Sequence, residues 1–238
     1  MESWIKDLKF YLMPSRQPVK GFERQYEEAY QVWRNAWQKF RNEIGVSEHL
    51  YSDGFILPDE MGVLFYQDEC VGFTSYSHGH LDHGPLVDLG WFKAWTPEAI
   101  LELSKISNSV TVCSQFTVNP KFAGKGHIIR WKDIISLYTL MRFEVADTGV
   151  MAGHLNLTRG MQNASGEESG ATVLNSCHPF SYYGVEIPAQ LVAYERKNIQ
   201  LMKERKNIVP LCENLWSRLV HLSDHSVGNN VIPLRKAA

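Results

Sequence analysis

The sequence lacks the features that mark disulfide-rich, membrane-spanning and nucleic-acid-binding proteins. Its four cysteines (Cys70, Cys113, Cys177 and Cys212) form no Cys-x-x-Cys pair, which argues against a disulfide framework and a zinc knuckle. No run approaches the roughly 20 apolar residues that span a bilayer, and the early acidic residues do not fit a signal peptide. A formal net charge of −2 gives no general attraction to nucleic acid. We therefore expect a cytoplasmic protein with no membrane span and no nucleic-acid partner.

The length and patterning of the chain predict one main domain with two extensions. The 238 residues, 44% of them apolar, suffice for one sizeable core. Aromatic residues recur every three or four positions over residues 22–44, which predicts an amphipathic helix whose aromatic stripe belongs to the core. Residues 1–21 contain Pro14 and Pro18 and are expected to form a loosely attached arm. Residues 22–195 form the predicted domain, and residues 196–238 a helical extension.

The remaining patterns predict an α/β fold with one central sheet. Thr96-Pro97-Glu98 opens a helix, because the threonine hydroxyl caps it and proline suits its first turn. That helix is expected to end near Ile106. Further helices are expected over about 126–143 and 158–168, and the strands over 54–57, 62–66, 70–76, 110–118, 148–155, 171–174 and 187–194.

The segment from Phe116 to Arg130 carries the clearest chemical signal. A predicted strand ends at Asn119-Pro120, and a loop containing Gly124 and Gly126 leads into a helical pattern. The first amides of a helix lack partners and lie at the positive end of its dipole, so such a turn suits a phosphate. The third glycine of a dinucleotide-binding motif is absent, since residue 129 is isoleucine, and no P-loop is present.

This segment resembles the pyrophosphate loop of the GNAT acyltransferase superfamily. Members read Val-x-Pro and then Arg/Gln-x-x-Gly-x-Gly/Ala, and this chain reads Val118-Asn-Pro-Lys-Phe-Ala-Gly-Lys-Gly-His-Ile128. Ala123 stands at the Arg/Gln position, Gly126 keeps the first glycine, and Ile128 enlarges the last small position. The predicted order of elements is also that of this fold. The resemblance implies a mixed, mostly antiparallel sheet with two splayed strands, flanked by helices.

Other segments are similar to one branch of that superfamily, the acyl-homoserine-lactone synthases and long-chain N-acyl amino acid synthases. They are Ser114-Gln-Phe-Thr-Val118, Thr158-Arg-Gly-Met161, Gly170-Ala171, Tyr183-Gly-Val-Glu-Ile187 and Leu191-Val-Ala-Tyr194. Members of this branch transfer fatty acyl groups, often from acyl carrier protein, onto an amino acid amine. The resemblance therefore implies an N-acyltransferase. Its donor would be acyl-CoA or the phosphopantetheine of acyl carrier protein, its acceptor an amino acid or another small amine, and no metal is expected.

The resemblance also implies particular site residues. The donor's pantetheine arm would pair with the strand at Phe116, Thr117 and Val118. Its phosphate would lie on the amides of a loop comprising Ala123, Gly124, Lys125, Gly126, His127 and Ile128. Three departures affect catalysis: Gln115 replaces an arginine, no carboxylate stands near residues 112–113, and Gly166 replaces a tyrosine. The catalytic candidates that remain are Ser114, Cys113, His154, and Tyr182 or Tyr183.

Two alternatives stay open from the sequence. Ser77-His-Gly-His-Leu-Asp-His83 matches the zinc-binding signature of metallo-β-lactamase-type hydrolases, with His78, His80, Asp82 and His83 as metal ligands. The same segment also fits a polar connector. Ala123 at the Arg/Gln position, together with the missing glutamate and the missing tyrosine, fits a non-catalytic, GNAT-like protein that binds an acyl carrier. Four basic residues near the glycine loop could meet an acidic carrier protein: Lys121, Lys125, Arg130 and Lys132.

Overall fold

The computed structural model describes residues 3–124, 129–159, 161 and 167–223. Eight β-strands occur among these residues: β1 (Leu8–Pro14), β2 (Glu60–Tyr66), β3 (Glu69–His80), β4 (Ser109–Val118), β5 (Val150–Asn156), β6 (Ala171–Tyr182), β7 (Val185–Tyr194) and β8 (Leu219–His221). The α-helices found there are α1 (Glu23–Glu43), α2 (Asp53–Ile56), α3 (Gly84–Val87), α4 (Pro97–Ile106), α5 (Trp131–Val145), α6 (Arg196–Arg205) and α7 (Val209–Trp216).

The chain divides into two compact units. Unit 1 comprises residues 1–77, 114–145 and 210–238, and unit 2 comprises residues 78–113 and 146–209. Strands β3 and β4 each contribute residues to both units. The strands are mixed in direction and mostly antiparallel, and helices flank them, as the α/β prediction requires.

Unit 1 contains the strand order β4-β3-β2-β1-β8. Strand β2 pairs antiparallel with both β1 and β3, and β8 pairs parallel with β1. Ala29 and Trp33 of α1 pack in one apolar cluster with Phe55, Val63 and Phe73. The predicted aromatic helix thus covers this sheet.

Unit 2 contains the strand order β6-β7-β5-β4. Strand β5 is antiparallel to β7 and parallel to β4, and its ladder with β4 ends at Cys113 and Gly153 although both strands continue. Helix α4 is capped as predicted, because the Thr96 hydroxyl accepts a hydrogen bond from the Ala99 amide at 3.1 Å.

Several local predictions are confirmed. Strands β2 and β3 form the expected hairpin, with Gln67 and Asp68 at φ of 50° and 62° in its turn. Strands β6 and β7 are joined at Tyr183 and Gly184, which also have positive φ. No helix within the described part of the chain is both long and apolar enough to cross a bilayer.

Other local predictions are wrong, each for a tertiary reason. Residues 8–14 are not a loose arm but strand β1, whose Leu8, Phe10 and Leu12 are buried. Residues 53–56 form a helical turn instead of a strand. In the C-terminal segment the helices end at Trp216, and residues 219–221 join the sheet as β8 beside β1.

Candidate functional site

Strand β4 is irregular at the segment where the donor is expected to bind. Gln115 has a φ of 55°, which is rare for a residue with a side chain and is typical of a β-bulge when it occurs inside a strand. The carbonyl oxygen of the preceding Ser114 accepts hydrogen bonds from the hydroxyls of Ser75 at 3.1 Å and Thr74 at 3.4 Å. The hydroxyl oxygens of Ser114 and Ser75 are 3.0 Å apart. Side chains of β3 therefore satisfy the main chain at this irregularity.

Two tryptophans of α1 hold the same segment. The Trp33 indole donates to the Gln115 side-chain oxygen at 2.9 Å, and the Trp37 indole donates to the Thr117 hydroxyl at 3.1 Å. The Thr117 hydroxyl donates in turn to the Gln115 main-chain oxygen at 2.7 Å. Sequence reasoning assigned these rings to the core and missed their hydrogen bonds. The available signal was tryptophan, instead of phenylalanine, at two positions one helical turn apart.

The end of β4 lies very close to β3. A Cβ atom added to Gly72 would lie 2.2 Å from the Thr117 carbonyl oxygen, so only glycine permits this approach. Just after β4, the Asn119 amide donates to the Val71 carbonyl at 2.7 Å, and its side chain donates to the Cys70 carbonyl at 2.8 Å. These contacts fix the start of the turn that leads to the predicted phosphate-binding loop.

Only the first part of the predicted phosphate-binding loop can be described. Ala123 and Gly124 are exposed, and Gly124 has a φ of 123°, a conformation that favours glycine. Lys125, Gly126, His127 and Ile128 lie outside the described residues, and α5 begins at residue 131, later than predicted.

Two of the four basic residues predicted to meet a carrier protein take part in ion pairs. Lys121 pairs with Glu69, and Arg130 lies 3.9 Å from an Asp133 carboxylate oxygen. Both pairs are exposed, so each contributes little to stability. They also reduce the free positive charge that these two side chains present.

The other catalytic candidates belong to unit 2, whereas Ser114 belongs to unit 1. Cys113 carries a half-buried thiol and is paired in the ladder with Gly153, the residue before His154. Tyr183 is 52% exposed at the turn between β6 and β7. The rings of Phe180 and Tyr182 lie between His154 and Tyr183 in a series of ring contacts, so the two candidates do not meet directly.

His154 lies in an apolar environment that changes its titration. Its ring centroid is 4.3 Å from that of Phe180 and 6.4 Å from that of Trp91. Its Nε2 atom is buried and has no hydrogen-bond partner among the described residues. Burial, with a smaller effect from the charge of His178, lowers the pKa of His154 to about 4. The imidazole is therefore neutral at pH 7.

The histidine-rich segment does not assemble as a metal site. The Nδ1 atom of His78 lies 3.1 Å from the Thr111 hydroxyl, and the Nδ1 atom of His80 lies 3.7 Å from the Oδ1 atom of Asp82 on half-exposed side chains. Within the ranges that the structure describes, no group of three or more histidine, cysteine or acidic side chains is arranged to hold a metal ion. The geometry therefore does not support the zinc-hydrolase alternative based on His78, His80, Asp82 and His83.

Comparisons with known proteins relate this chain to acyltransferase structures. No protein-family model matches the sequence, and no curated protein matches it. FeeM, an N-acyl amino acid synthase from uncultured soil microbes, aligns with 83% of this chain and 95% of its own, at 11% identity and a TM-score of 0.53. MesI, a CoA-dependent acyl-homoserine lactone synthase, aligns with 84% of this chain and 96% of its own, at 10% identity and a TM-score of 0.49. The AHL synthase LasI aligns with 79% of this chain and 90% of its own, at 12% identity and a TM-score of 0.47.

Of these three structures, FeeM alone exceeds a TM-score of 0.5, and at such identities the similarity establishes the fold alone. The chain therefore has a GNAT-like α/β fold that resembles that of FeeM, an N-acyl amino acid synthase.

Proposed function

We propose that this protein is a GNAT-type N-acyltransferase that moves a fatty acyl group from a thioester to the amine of an amino acid or another small acceptor. The observation that carries the proposal is the irregularity at Ser114 and Gln115 in strand β4 of a GNAT-like fold. The glycine-bearing turn that follows the same strand supports it, because a phosphate-bearing donor needs amides near its acyl-binding strand.

The proposed reaction requires donors at the thioester oxygen and a proton for the leaving group. The acceptor's neutral amine attacks the carbonyl carbon, the C–S bond breaks, the amine loses a proton and the thiolate gains one. The positive φ of Gln115 turns its peptide groups away from the direction of regular ladder hydrogen bonds. We propose that main-chain amides around Gln115 donate to the developing oxyanion, where fixed donors are most effective.

Ser114 fits the remaining catalytic role better than the other candidates do. Its hydroxyl lies at the irregularity, 3.0 Å from the Ser75 hydroxyl. It can relay a proton, since its oxygen takes the proton that the amine loses as the hydroxyl gives its own to the leaving thiolate. With a pKa of about 4, His154 is too weak a base to take a proton from the amine at pH 7. Cys113 and Tyr183 stay weaker candidates, since the thiol is half-buried and the phenol lies at an exposed turn.

The donor is proposed to be acyl-CoA or the phosphopantetheine of acyl carrier protein. Residues 116–118 would pair with the pantetheine arm, and residues 123–128 would hold the phosphate. Acyl-CoA is the first donor to test.

A ligand-stability experiment tests this proposal. Long-chain acyl-CoA is expected to raise the melting temperature, because a ligand that binds the native state alone stabilises it. The free fatty acid is expected to leave the melting temperature unchanged. Gly126→Glu, which adds bulk and negative charge at the proposed phosphate position, is expected to abolish this increase. Gly90→Glu is the matched control, since Gly90 is exposed and no atom lies near a Cβ added there.

Product formation separates the enzyme from a binding module. Incubation with acyl-CoA and a mixture of amino acids, followed by mass spectrometry, is expected to yield N-acyl products and free thiol. Binding without product from any of the amines supplied would indicate the non-catalytic alternative. The absence of any stabilisation by acyl-CoA or acyl carrier protein would contradict the proposal.

A further inference from the structure

We infer that Trp33 and Gln115 form a lock that holds the irregular conformation of β4 and thereby positions the donor-binding strand. Its core is the hydrogen bond from the Trp33 indole to the Gln115 side-chain oxygen. We call this pair of side chains the indole–amide lock. Its effect on donor binding rests on the proposed function, whereas its effect on β4 does not.

The indole side of the lock is fixed before it reaches β4. Trp33 is 2% exposed, and its ring centroid lies 5.9 Å from that of Tyr30 and 5.8 Å from that of Phe55. Leaving a buried N–H without an acceptor costs free energy. The ring therefore presents a donor at a defined place, and residue 115 must supply the acceptor.

The amide side of the lock is enclosed as well. A Cβ atom added to Gly54 would lie 3.1 Å from the Cδ, Oε1 and Nε2 atoms of Gln115. The Gln115 side chain thus lies between α2 and the indole of Trp33. Its main-chain oxygen is held separately by Thr117, which accepts from Trp37. Both oxygens of the one residue with positive φ in this strand segment are therefore reached, directly or through Thr117, from α1.

The lock explains why a residue that accepts a hydrogen bond stands at position 115. A guanidinium group has donors and no acceptor, so it would leave the Trp33 N–H unpaired. Glutamine and glutamate both provide the required oxygen. The lock therefore specifies a chemical rule for residue 115: it must accept a hydrogen bond.

The test compares Gln115→Met, which keeps the side-chain length but removes the amide oxygen, with Gln115→Glu, which keeps an acceptor. In ¹H–¹⁵N spectra, the Trp33 indole signal is assigned from its loss in Trp33→Phe. Gln115→Met is expected to shift this signal and accelerate its hydrogen exchange roughly tenfold, within the range of one lost hydrogen bond. Gln115→Glu is expected to retain slow exchange, and Gln31→Met on the exposed face of α1 is the matched control.

Donor affinity supplies the functional half of the test. Gln115→Met and Trp33→Phe are each expected to weaken binding of octanoyl-CoA roughly three- to tenfold, and the double variant is expected to be no weaker than either. Unchanged indole exchange in Gln115→Met overturns the lock. Accelerated exchange with unchanged affinity overturns its positioning role. A wild-type protein that binds no acyl-CoA or acyl carrier protein defeats the proposed function instead, and the exchange result alone then decides the lock.

Discussion

The two halves of strand β4 are built in different ways. Residues 110–113 form a regular parallel ladder with β5, and Val110 and Val112 are buried against the apolar residues of α4. Residues 114–118 contain the positive φ of Gln115, and hydroxyls and indoles of β3 and α1 satisfy their main-chain and side-chain oxygens. The first half is stabilised by burial of apolar area and by ladder hydrogen bonds. The second half depends on individual polar side chains.

The two halves of the strand therefore tolerate substitution to different degrees. Apolar residues of similar volume can replace one another in a packed core at modest cost. A residue that holds an irregular main chain through one hydrogen bond has few substitutes. Three changes test this contrast. Their expected effects on the free energy of unfolding decrease from acid at His154, through Gly72→Ala, to Ser114→Ala.

The largest effect is expected from acid at His154, which lies on β5, the partner of the regular half. Its pKa is about 4 in the folded state and 6.5 unperturbed, so the unfolded chain binds more protons between these values. The neutral His154 ring therefore makes its full contribution to the free energy of unfolding above pH 6.5. This contribution, up to about 3 kcal/mol, is lost as the pH falls to 4. Urea denaturation at pH 7.5 and 4.5 is expected to show a smaller acid loss for His154→Phe.

An NMR titration of the His154 ring is the direct check on that prediction. A folded-state pKa near 6.5 would show that burial does not disfavour the charged ring. Equal acid losses in wild type and His154→Phe would contradict the prediction in the same way.

An intermediate effect is expected from Gly72→Ala, which attacks the irregular half through its main chain. The new Cβ would lie 2.2 Å from the Thr117 carbonyl oxygen, and because this neighbour is backbone, the strands must separate. We expect a loss of about 2 kcal/mol in the free energy of unfolding, as for other overpacked sites. Gly84→Ala is the control, since no atom lies within 4 Å of a Cβ added there. Equal midpoints in urea for the two variants would contradict the close approach.

The smallest effect is expected from Ser114→Ala, which removes the hydroxyl contact with Ser75. One neutral hydrogen bond contributes about 1 kcal/mol, and the Ser114 main-chain oxygen keeps its donors. Ser75→Ala is expected to cost more, because it removes contacts to both oxygens of Ser114. Chemical denaturation of the two variants checks the order, and a larger loss in Ser114→Ala would reverse it.

Local signals in the sequence predicted the elements that depend on neighbouring residues. Period-three-to-four aromatics identified α1, a capping threonine identified α4, and positive-φ turns joined β2 to β3 and β6 to β7. Strand β1, the helical turn α2 and strand β8 were missed, because their states depend on distant partners. The departure at Gln115 was recognised, but the indole that explains it lies 82 residues away in the chain.

Periodicity and local spacing in the sequence predict the α/β class and the strand and glycine turn at residues 110–124, whereas the motif residues themselves carry the resemblance to GNAT acyltransferases. The three-dimensional structure is needed to see that the indoles of Trp33 and Trp37 donate hydrogen bonds to side chains of β4 and that burial keeps His154 neutral. It also shows that the histidine-rich segment forms no metal cluster among the described residues. Hydrogen bonds, desolvation and metal coordination all depend on distances between groups remote in sequence, and folding alone sets those distances.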